Sequence, residues 1–394
     1  MSSESNAARS FIVLCTDIPW VHALAEALAA HGPTAAIRLY DFRSYRTAAR
    51  LPDDVHSSPS FRRLTWAFPP GYIGKLAWLL RPFLSARIGR LAGSLQRESG
   101  ATPFVVVPYP FYGPALLGIP AERLIYYNLD DYTLYERFHP ENIARTEADI
   151  IRRAGLTVCL AISQVEMLRR QFPERATSIQ HFPLGVAQEF INPEPSNVSS
   201  RPFRLGFIGN LSDRVDWRLV GEIAALCPSV EFEFVGPLEW MGAAGGQDER
   251  WREQRSRALA IPNVRHLPAV PQEEVIRHYW DFSATWIPYD PLHAFNVASC
   301  PTKIMDGLAT GRPMLSTPLP ECRLYPQWID LFSTAAEGAA QILRLEAKHL
   351  AGELAERTER QLAFARENTW PRRAKQLLDL LPSDLPSSAS TSSR

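Results

Sequence analysis

The sequence predicts an α/β protein with two Rossmann-like parallel-sheet domains that face each other across a cleft. The first observation is a set of short apolar runs of strand length, which lie at Phe11–Thr16, Ala36–Tyr40, Phe104–Pro108, Arg123–Asn128, Leu156–Ile162 and Ile179–Phe182. Helical patterns separate several of them, for example Trp20–Ala30 and Glu141–Ala154. Buried strands that alternate with helices form parallel sheets, because each crossover helix covers one sheet face.

The second observation is that this alternation stops and then restarts. A polar stretch with two prolines, Asn192–Arg201, interrupts it, and new strand patterns follow at Phe203–Ile208, Glu231–Val235, Val264–His266 and Ser283–Ile287. The resulting prediction is an N-terminal domain over 1–190, a linker over 191–202 and a C-terminal domain over 203–365. A closing helix over 366–382 would cross back to the first domain, and the Ser-rich tail 383–394 is predicted to be disordered.

Composition limits the classes of function. The 394 residues carry no net charge, so the whole chain offers no electrostatic argument for binding nucleic acid. Five cysteines without a C-x-x-C pair favour free thiols over disulfides or a zinc site. The N-terminus lacks a signal-peptide pattern, and no uncharged apolar run reaches the ~18–20 residues of a membrane span. We therefore expect a cytoplasmic protein.

The most informative motif is the segment Cys300–Thr317. Pro301 suits a helix start, Gly311 a helix end, and Pro313 the start of a short strand. Lys303 and Asp306 are three residues apart, so they share one helix face. A lysine at a helix N-terminus favours a diphosphate, and a carboxylate can accept the hydroxyl hydrogens of a ribose.

This segment resembles the sugar-donor signature of GT-B glycosyltransferases of the bacterial exopolysaccharide type, P-x-K-x-x-E followed by L-A-x-G-x-P, with Asp306 in place of the glutamate. Arg204–Leu211 and Trp286–Tyr289 resemble further segments of that family in the same order. The resemblance implies a GT-B fold and a nucleotide diphosphate sugar as the donor, with UDP as the default nucleotide. It also implies that no metal cofactor is needed. The implied donor-binding residues are Gly209, Asn210, Tyr289, Thr302, Lys303 and Asp306.

One departure from the family concerns the mechanism. Retaining members often carry two acids spaced E-x7-E, but the residue eight positions before Asp306 is Ala298. This favours inversion, in which a general base takes the proton of the acceptor hydroxyl. The candidate bases are Asp131 and Asp130, which follow a predicted strand; the alternative is that the two acids only cap the following helix. His22 is a further candidate on the acceptor side.

A basic and aromatic segment occupies residues 55–97. It contains no Asp or Glu, and its seven Arg and Lys residues are interleaved with Trp, Phe, Tyr and Leu. Two helical pieces, Ile73–Leu80 and Pro82–Leu95, are predicted there. Basic and apolar side chains together suit an anionic membrane surface. The segment therefore predicts peripheral association with the cytoplasmic face of the inner membrane; the alternative is a helical flap that packs on the core.

These observations predict a glycosyltransferase that moves a sugar to a saccharide acceptor, lipid-linked in our interpretation, during synthesis of a surface polysaccharide. Two alternatives stay open. A nucleotide-sugar epimerase shares the fold and acts on the sugar nucleotide alone. A non-catalytic relative would keep the fold as a scaffold for polysaccharide assembly.

Overall fold

A computed structural model describes residues 9–14, 18–32, 34–44, 60–68, 77–135, 139–193, 202–238 and 250–382. Among these residues the chain forms two compact units. The first contains the described chain through Tyr126, the segment Arg153–Leu156 and the residues from Pro371 onward; the second contains Tyr127–Arg152 and Thr157–Trp370. Most of the predicted linker lies outside the described residues, so the domain boundaries inferred from the sequence stay a prediction.

The first sheet has seven strands in the order β3-β2-β1-β4-β5-β6-β7. Val105 on β4 pairs in parallel with Leu124 on β5, and the strands on either side continue the pattern. Because β4 and β5 are buried along their whole length, they need apolar side chains on both faces. The strands are β1 (Arg9–Val13), β2 (Thr34–Ser44), β3 (Phe61–Phe68), β4 (Phe104–Val107), β5 (Leu124–Asn128), β6 (Leu156–Cys159) and β7 (Ile179–His181).

Four helices accompany this sheet in the described part of the chain. Helix α3 shows why they form, because Ile143, Glu147, Ile150 and Ile151 repeat at helical spacing and are buried, whereas the opposite face is polar. The helices are α1 (Pro19–Ala29), α2 (Ala77–Ser99), α3 (Pro140–Arg153) and α4 (Ile162–Gln171).

The second sheet has six strands in the order β10-β9-β8-β11-β12-β13, and its paired strands are parallel. Strand order reverses between β8 and β11, and ligands of such sheets bind outside the carboxyl ends of the strands at this switch point. The strands are β8 (Phe203–Ile208), β9 (Val230–Val235), β10 (Val264–Leu267), β11 (Ala284–Ile287), β12 (Met314–Ser316) and β13 (Ile329–Leu331).

Helices follow most of these strands. They are α5 (Trp217–Leu226), α6 (Arg250–Leu259), α7 (Gln272–Asp281), α8 (Ala294–Ala298), α9 (Lys303–Ala309), α10 (Ala335–Leu350), α11 (Ala355–Glu367) and α12 (Trp370–Leu380). Aromatic rings fill the core beside the sheet. Trp286 lies 5.4 Å from the ring of Phe232, and Trp217 lies 5.3 Å from that of Phe234, measured between centroids. These rings hold the strand ends of the switch point in place.

The predicted fold class is confirmed, since both halves are helix-covered parallel sheets. One local prediction was wrong, and one strand was not predicted. The sequence assigned no element to Phe61–Phe68, which is strand β3 and pairs in parallel with β2. The predicted break between Leu80 and Pro82 does not occur, because α2 runs through it. The proline removes one backbone hydrogen bond, and burial of Leu84, Ile88 and Leu95 on the same helix offsets that loss.

Candidate functional site

Two glycines form the backbone floor at the carboxyl end of β8. Gly209 and Gly236 both have φ of +148°, a conformation that favours glycine. A Cβ on Gly236 would lie 2.0 Å from the carbonyl oxygen of Gly209, so the ends of β8 and β9 approach as closely as only glycine allows. A Cβ on Gly209 would lie 2.6 Å from Nζ of Lys303. The sequence-predicted residues Gly209 and Lys303 are therefore in direct contact.

Lys303 is held over two aromatic rings. Its Nζ lies 5.0 Å from the ring centroid of Phe207 and 5.3 Å from that of Tyr289, and the ammonium group hydrogen-bonds the Tyr289 hydroxyl. Both rings are buried, so the cation sits against a low-dielectric wall. The tyrosine predicted from the sequence thus forms one side of the lysine site.

Arg214 supplies a second cation at the same ring. Its guanidinium carbon lies 5.0 Å from the Tyr289 centroid. Its Nε donates to Oδ1 of Asn296 at 2.7 Å, and one terminal nitrogen donates to Oγ of Ser299 at 2.8 Å. Because Asn296 is fully buried, this arginine is fixed and not solvated freely. Sequence reasoning missed Arg214.

Backbone contacts bring the loops after β8 and β11 together. The amide of Asp216 donates to the carbonyl of Pro288, and the amide of Asp290 donates to that of Arg214, both at 2.9 Å. Val215 and Tyr289 form an antiparallel bridge between these bonds. The fold itself therefore places Arg214 beside Tyr289 and Lys303.

The electrostatic potential at this point is positive. Burial raises the pKa of Tyr289, but the charges of Lys303 and Arg214 and the hydrogen bond from Lys303 bring that pKa below its ordinary value. A phenol that is easier to ionise while buried reports a local excess of positive charge. Such a place stabilises an anion that reaches it.

Asp306 lies one turn along α9 from Lys303 and is half-buried. Burial raises the pKa of its carboxyl to about 7, although the charge of Lys303 acts in the opposite direction and Glu189 adds to the rise. A carboxyl with a pKa near neutrality is a common feature of functional sites. This helix has only seven residues, so the site rests on side chains and on the backbone at Gly209.

The remaining predicted donor residues lie near this group. Thr302 is the N-cap residue of α9, and its carbonyl accepts from the amides of Met305 and Asp306. Asn210 is exposed and follows Gly209 directly. His22, the predicted acceptor-side residue, lies half-buried on α1 in the first compact unit, whereas the residues above belong to the second.

The two adjacent acids after β5 have different surroundings. Oδ1 of Asp131 accepts from the amide of Thr133 at 3.0 Å and from its hydroxyl at 2.5 Å, so this side chain caps the short 3₁₀ turn Tyr132–Leu134. Oδ2 of Asp130 accepts from the hydroxyl of Tyr135 at 2.5 Å. Burial raises the pKa of Asp130, and the hydrogen bond from Tyr135 and the charge of Arg214 only partly oppose it. Of the two acids, Asp130 is thus the one whose pKa is affected by the charge of Arg214.

Packing links Asp130 to the site within the second unit. The ring of Tyr135 meets that of Phe295 on α8 edge-on at 5.1 Å. Asn128, at the end of β5, donates to Oε1 of buried Glu147 on α3 at 2.9 Å and to the carbonyl of Asp130 at 3.4 Å. These contacts fix the strand end that carries the acid.

The residues that sequence reasoning missed share one property: they lie in loops or, for Asn296, on the five-residue helix α8, where no hydrophobic periodicity is visible. Arg214 comes from Ser212-Asp-Arg-Val-Asp216, whose only usable signal was a cluster of charged residues shortly after a strand-ending glycine. Asn296 and Ser299 precede the signature segment and match no element of it. Their importance depends on the contact between two loops about 80 residues apart.

No protein-family model matches the chain. TuaH of Bacillus subtilis (strain 168), a protein named for a glycosyltransferase role in teichuronic acid biosynthesis, is 27% identical over 198 residues. The match covers 48% of this chain and 46% of TuaH, so the chain spans about half the length of this relative.

Solved structures resemble the chain along nearly its whole length. Anabaena Alr3699/HepE, solved in complex with UDP and glucose, is 14% identical with a TM-score of 0.64, and the match covers 94% of this chain and 98% of HepE. Sucrose-phosphate synthase from Thermosynechococcus elongatus is 16% identical with a TM-score of 0.66 over the same shares of the two chains. The chain has the GT-B fold. Within this fold, the cluster around Gly209, Lys303 and Tyr289 lies at the switch point of the second sheet.

Asp306→Asn is expected to stabilise the protein at high pH only. A carboxyl whose pKa rises from an ordinary value to about 7 on folding destabilises the folded state once the unfolded chain has ionised. The variant should therefore exceed the wild type in free energy of unfolding by roughly 1–4 kcal/mol above pH 7, and the difference should vanish towards pH 4. Thermal unfolding across this pH range measures it.

The control is Asp379→Asn, an exposed carboxylate on α12 that pairs with Lys375. It should change stability little and without this pH dependence. An Asp306→Asn variant that is less stable than the wild type above pH 7 would show that this carboxylate serves the fold instead of a ligand.

Proposed function

We propose that the chain is a glycosyltransferase that takes its sugar from a nucleotide diphosphate sugar. The carrying observation is the cluster of Lys303 and Arg214 on the ring of Tyr289, beside the open backbone of Gly209. Two fixed cations and a backbone without a Cβ suit a diphosphate. The fold shared with HepE, which was solved with UDP and glucose, and the partial similarity to TuaH support this proposal. UDP is the nucleotide we propose to test first.

Each residue of the cluster has a role in this proposal. Lys303 and Arg214 bind the diphosphate and stabilise the charge that develops on it as the bond to the sugar breaks. The ribose would bind at the start of α9, where Thr302 and Asp306 lie, and next to Asn210, which follows the carboxyl end of β8. We propose that the Asp306 carboxylate accepts hydrogen bonds from ribose hydroxyls, which would favour its ionised form over the buried acid.

Asp130 is the proposed general base, with inversion at the sugar. Its raised pKa improves its basicity, because a base works best when its pKa approaches the working pH. Asp131 is occupied as a cap, so we rank it below Asp130. The proton of the acceptor hydroxyl would pass to the Asp130 carboxylate while the diphosphate leaves from the opposite face of the sugar. The expectation that no metal takes part remains part of the proposal.

The acceptor is proposed to be a saccharide on a lipid carrier, reached from a membrane surface. On α2, Leu79 and Phe83 are one turn apart and expose 58% and 52% of their surface, and Arg81 and Arg90 are exposed on the same helix. The only acid of the helix, Glu98, pairs with Arg38. An anionic bilayer fits this surface. In the described residues, no helix has the length and hydropathy to span a membrane.

Lys303→Ala and Arg214→Ala should each weaken binding of UDP by about 10–100-fold, since each removes a charge-assisted contact to phosphate. Isothermal titration calorimetry against UDP, GDP, ADP and CMP measures the change in affinity and identifies the nucleobase that the donor carries. Arg218→Ala and Lys375→Ala are matched controls, because both side chains are exposed in i,i+4 ion pairs. Unchanged UDP affinity in both site variants would remove the donor-site assignment.

Asp130→Asn should reduce transfer by at least about 100-fold while UDP affinity stays within about twofold, because a base acts on the acceptor. Asp131→Asn should change transfer and stability little, because asparagine caps a turn about as well as aspartate. The assay is release of UDP from UDP-sugars in the presence of undecaprenyl diphosphate-linked saccharides. Asp216→Asn, which makes the same change at the N-cap of α5, is the matched control.

Full transfer by Asp130→Asn would remove the base assignment, and loss of transfer only in Asp131→Asn would reverse the ranking. Conversion of a UDP-sugar to its epimer without an acceptor would identify an epimerase instead.

The protein should sediment with vesicles that contain phosphatidylglycerol, and less with pure phosphatidylcholine. Arg81→Gln with Arg90→Gln should weaken this binding by about tenfold or more, since each basic residue near an anionic surface contributes about 1 kcal/mol. Phe83→Ser should also weaken it. Leu226→Ser, which alters a similarly exposed leucine on α5, should not. Equal sedimentation with both lipids would contradict the proposal that α2 binds an anionic membrane surface.

A further inference from the structure

A histidine–aspartate pair lies beside the cationic site and has no part in the roles given above. Nε2 of His293 lies 3.3 Å from Oδ2 of Asp213. Asp213 directly precedes Arg214, and His293 is the N-cap residue of α8. Burial alone would raise the pKa of Asp213, but the hydrogen bond and charge of His293 bring it below its ordinary value. The carboxyl is therefore an ionised acceptor at neutral pH.

Each member of the pair has a second polar atom with nothing to bind. Nδ1 of His293 and Oδ1 of Asp213 are buried, and neither has a hydrogen-bond partner among the described residues. A buried polar atom without a partner typically destabilises a fold, because it has lost its hydrogen bonds to water. Two such atoms in one pair indicate a site that is completed by a ligand with hydrogen-bonding groups.

The pair is connected by contacts to both reactive parts of the proposed site. On one side, Arg214 follows Asp213 in the chain and binds Asn296, whose amide in turn donates to the carbonyl of His293. On the other side, the ring of His293 stacks on Phe295 at 6.1 Å, and Phe295 contacts Tyr135, the hydrogen-bond donor to Asp130. These contacts connect the pair both to Arg214, where we propose that the diphosphate binds, and to the residues around Asp130, the proposed base.

We propose that Asp213 and His293 bind hydroxyl groups of the transferred sugar and so determine which donor sugar is accepted. This inference rests on the proposed function. A carboxylate accepts a hydrogen bond from a sugar hydroxyl, and an imidazole nitrogen can accept from or donate to a neighbouring one. A site built to bind particular hydroxyls rejects sugars that lack them or hold them in another orientation, because its own polar groups then stay unpaired.

The test separates binding of the sugar from binding of the nucleotide. Calorimetric titration of the full chain with UDP, UDP-glucose, UDP-galactose and UDP-N-acetylglucosamine gives a dissociation constant for each. For the best UDP-sugar, the ratio of its dissociation constant to that of UDP should rise about tenfold in Asp213→Asn and in His293→Phe, while UDP affinity changes less than about twofold. Preference among the three sugars should narrow in the same variants.

Matched controls are available in the same unit. His278 lies 3.3 Å from Glu233 in a second histidine–acid pair, so His278→Phe changes the same residue type at the same separation. Asp216→Asn changes a carboxylate three residues from Asp213 that caps α5. Neither should alter the ratio. His293→Gln, which keeps a polar side chain, serves if His293→Phe does not fold.

An unchanged ratio with UDP binding intact would overturn the inference and leave the pair a structural one. A parallel loss of UDP and UDP-sugar affinity would also overturn it, because the pair would then act by positioning Arg214. Failure of the wild type to bind these four probes and also GDP, ADP and CMP would overturn the proposed function and this inference together.

Discussion

The candidate site depends on the backbone hydrogen bonds that join the loop after β8 to the loop after β11. Both loops leave neighbouring parallel strands at the point where strand order reverses, so they emerge side by side. Two bonds of 2.9 Å, from Asp216 to Pro288 and from Asp290 to Arg214, then lock one loop onto the other. Without these two hydrogen bonds, the backbone would not hold Arg214 against the ring of Tyr289.

The lock also explains how two cations are held close together. Asn296 donates to the carbonyls of Arg214 and Asp290 and accepts from the Arg214 guanidinium, so one buried amide fixes both loops and the charge. Lys303 approaches Tyr289 from α9 and needs the missing Cβ of Gly209 to do so. Like charges that are fixed in this way favour an anionic ligand, because reorganisation of the protein is not needed when the ligand arrives.

The sequence was most informative where a residue type is demanded by local backbone geometry. Gly209 and Lys303 were predictable because the adjacent residues mark a strand end at the glycine and a helix start at the lysine. Arg214, His293 and Asn296 were not, since their roles arise from a contact between loops that no local pattern encodes. Strand β3 was missed for a related reason: its basic and aromatic residues predicted no element, and its strand conformation depends on pairing with β2.

The adjacent acids Asp130 and Asp131 show how far local reasoning can go. Successive side chains at a strand end point in different directions, so one acid could cap the next turn while the other faced a site. The sequence could not order them, because capping requires only an amide at the right distance and both residues precede the same turn. The structure distinguishes the two acids by their neighbours. Asp131 accepts a hydrogen bond from Thr133, whereas Asp130 accepts one from Tyr135 and is affected by the charge of Arg214. The Asp131 carboxylate, whose hydrogen bonds are made within its own turn, contributes stability, whereas burial disfavours the ionised form of Asp130 in the unliganded protein. A carboxyl with such a shifted pKa is typical of functional sites, and for this reason we propose Asp130 and not Asp131 as the base.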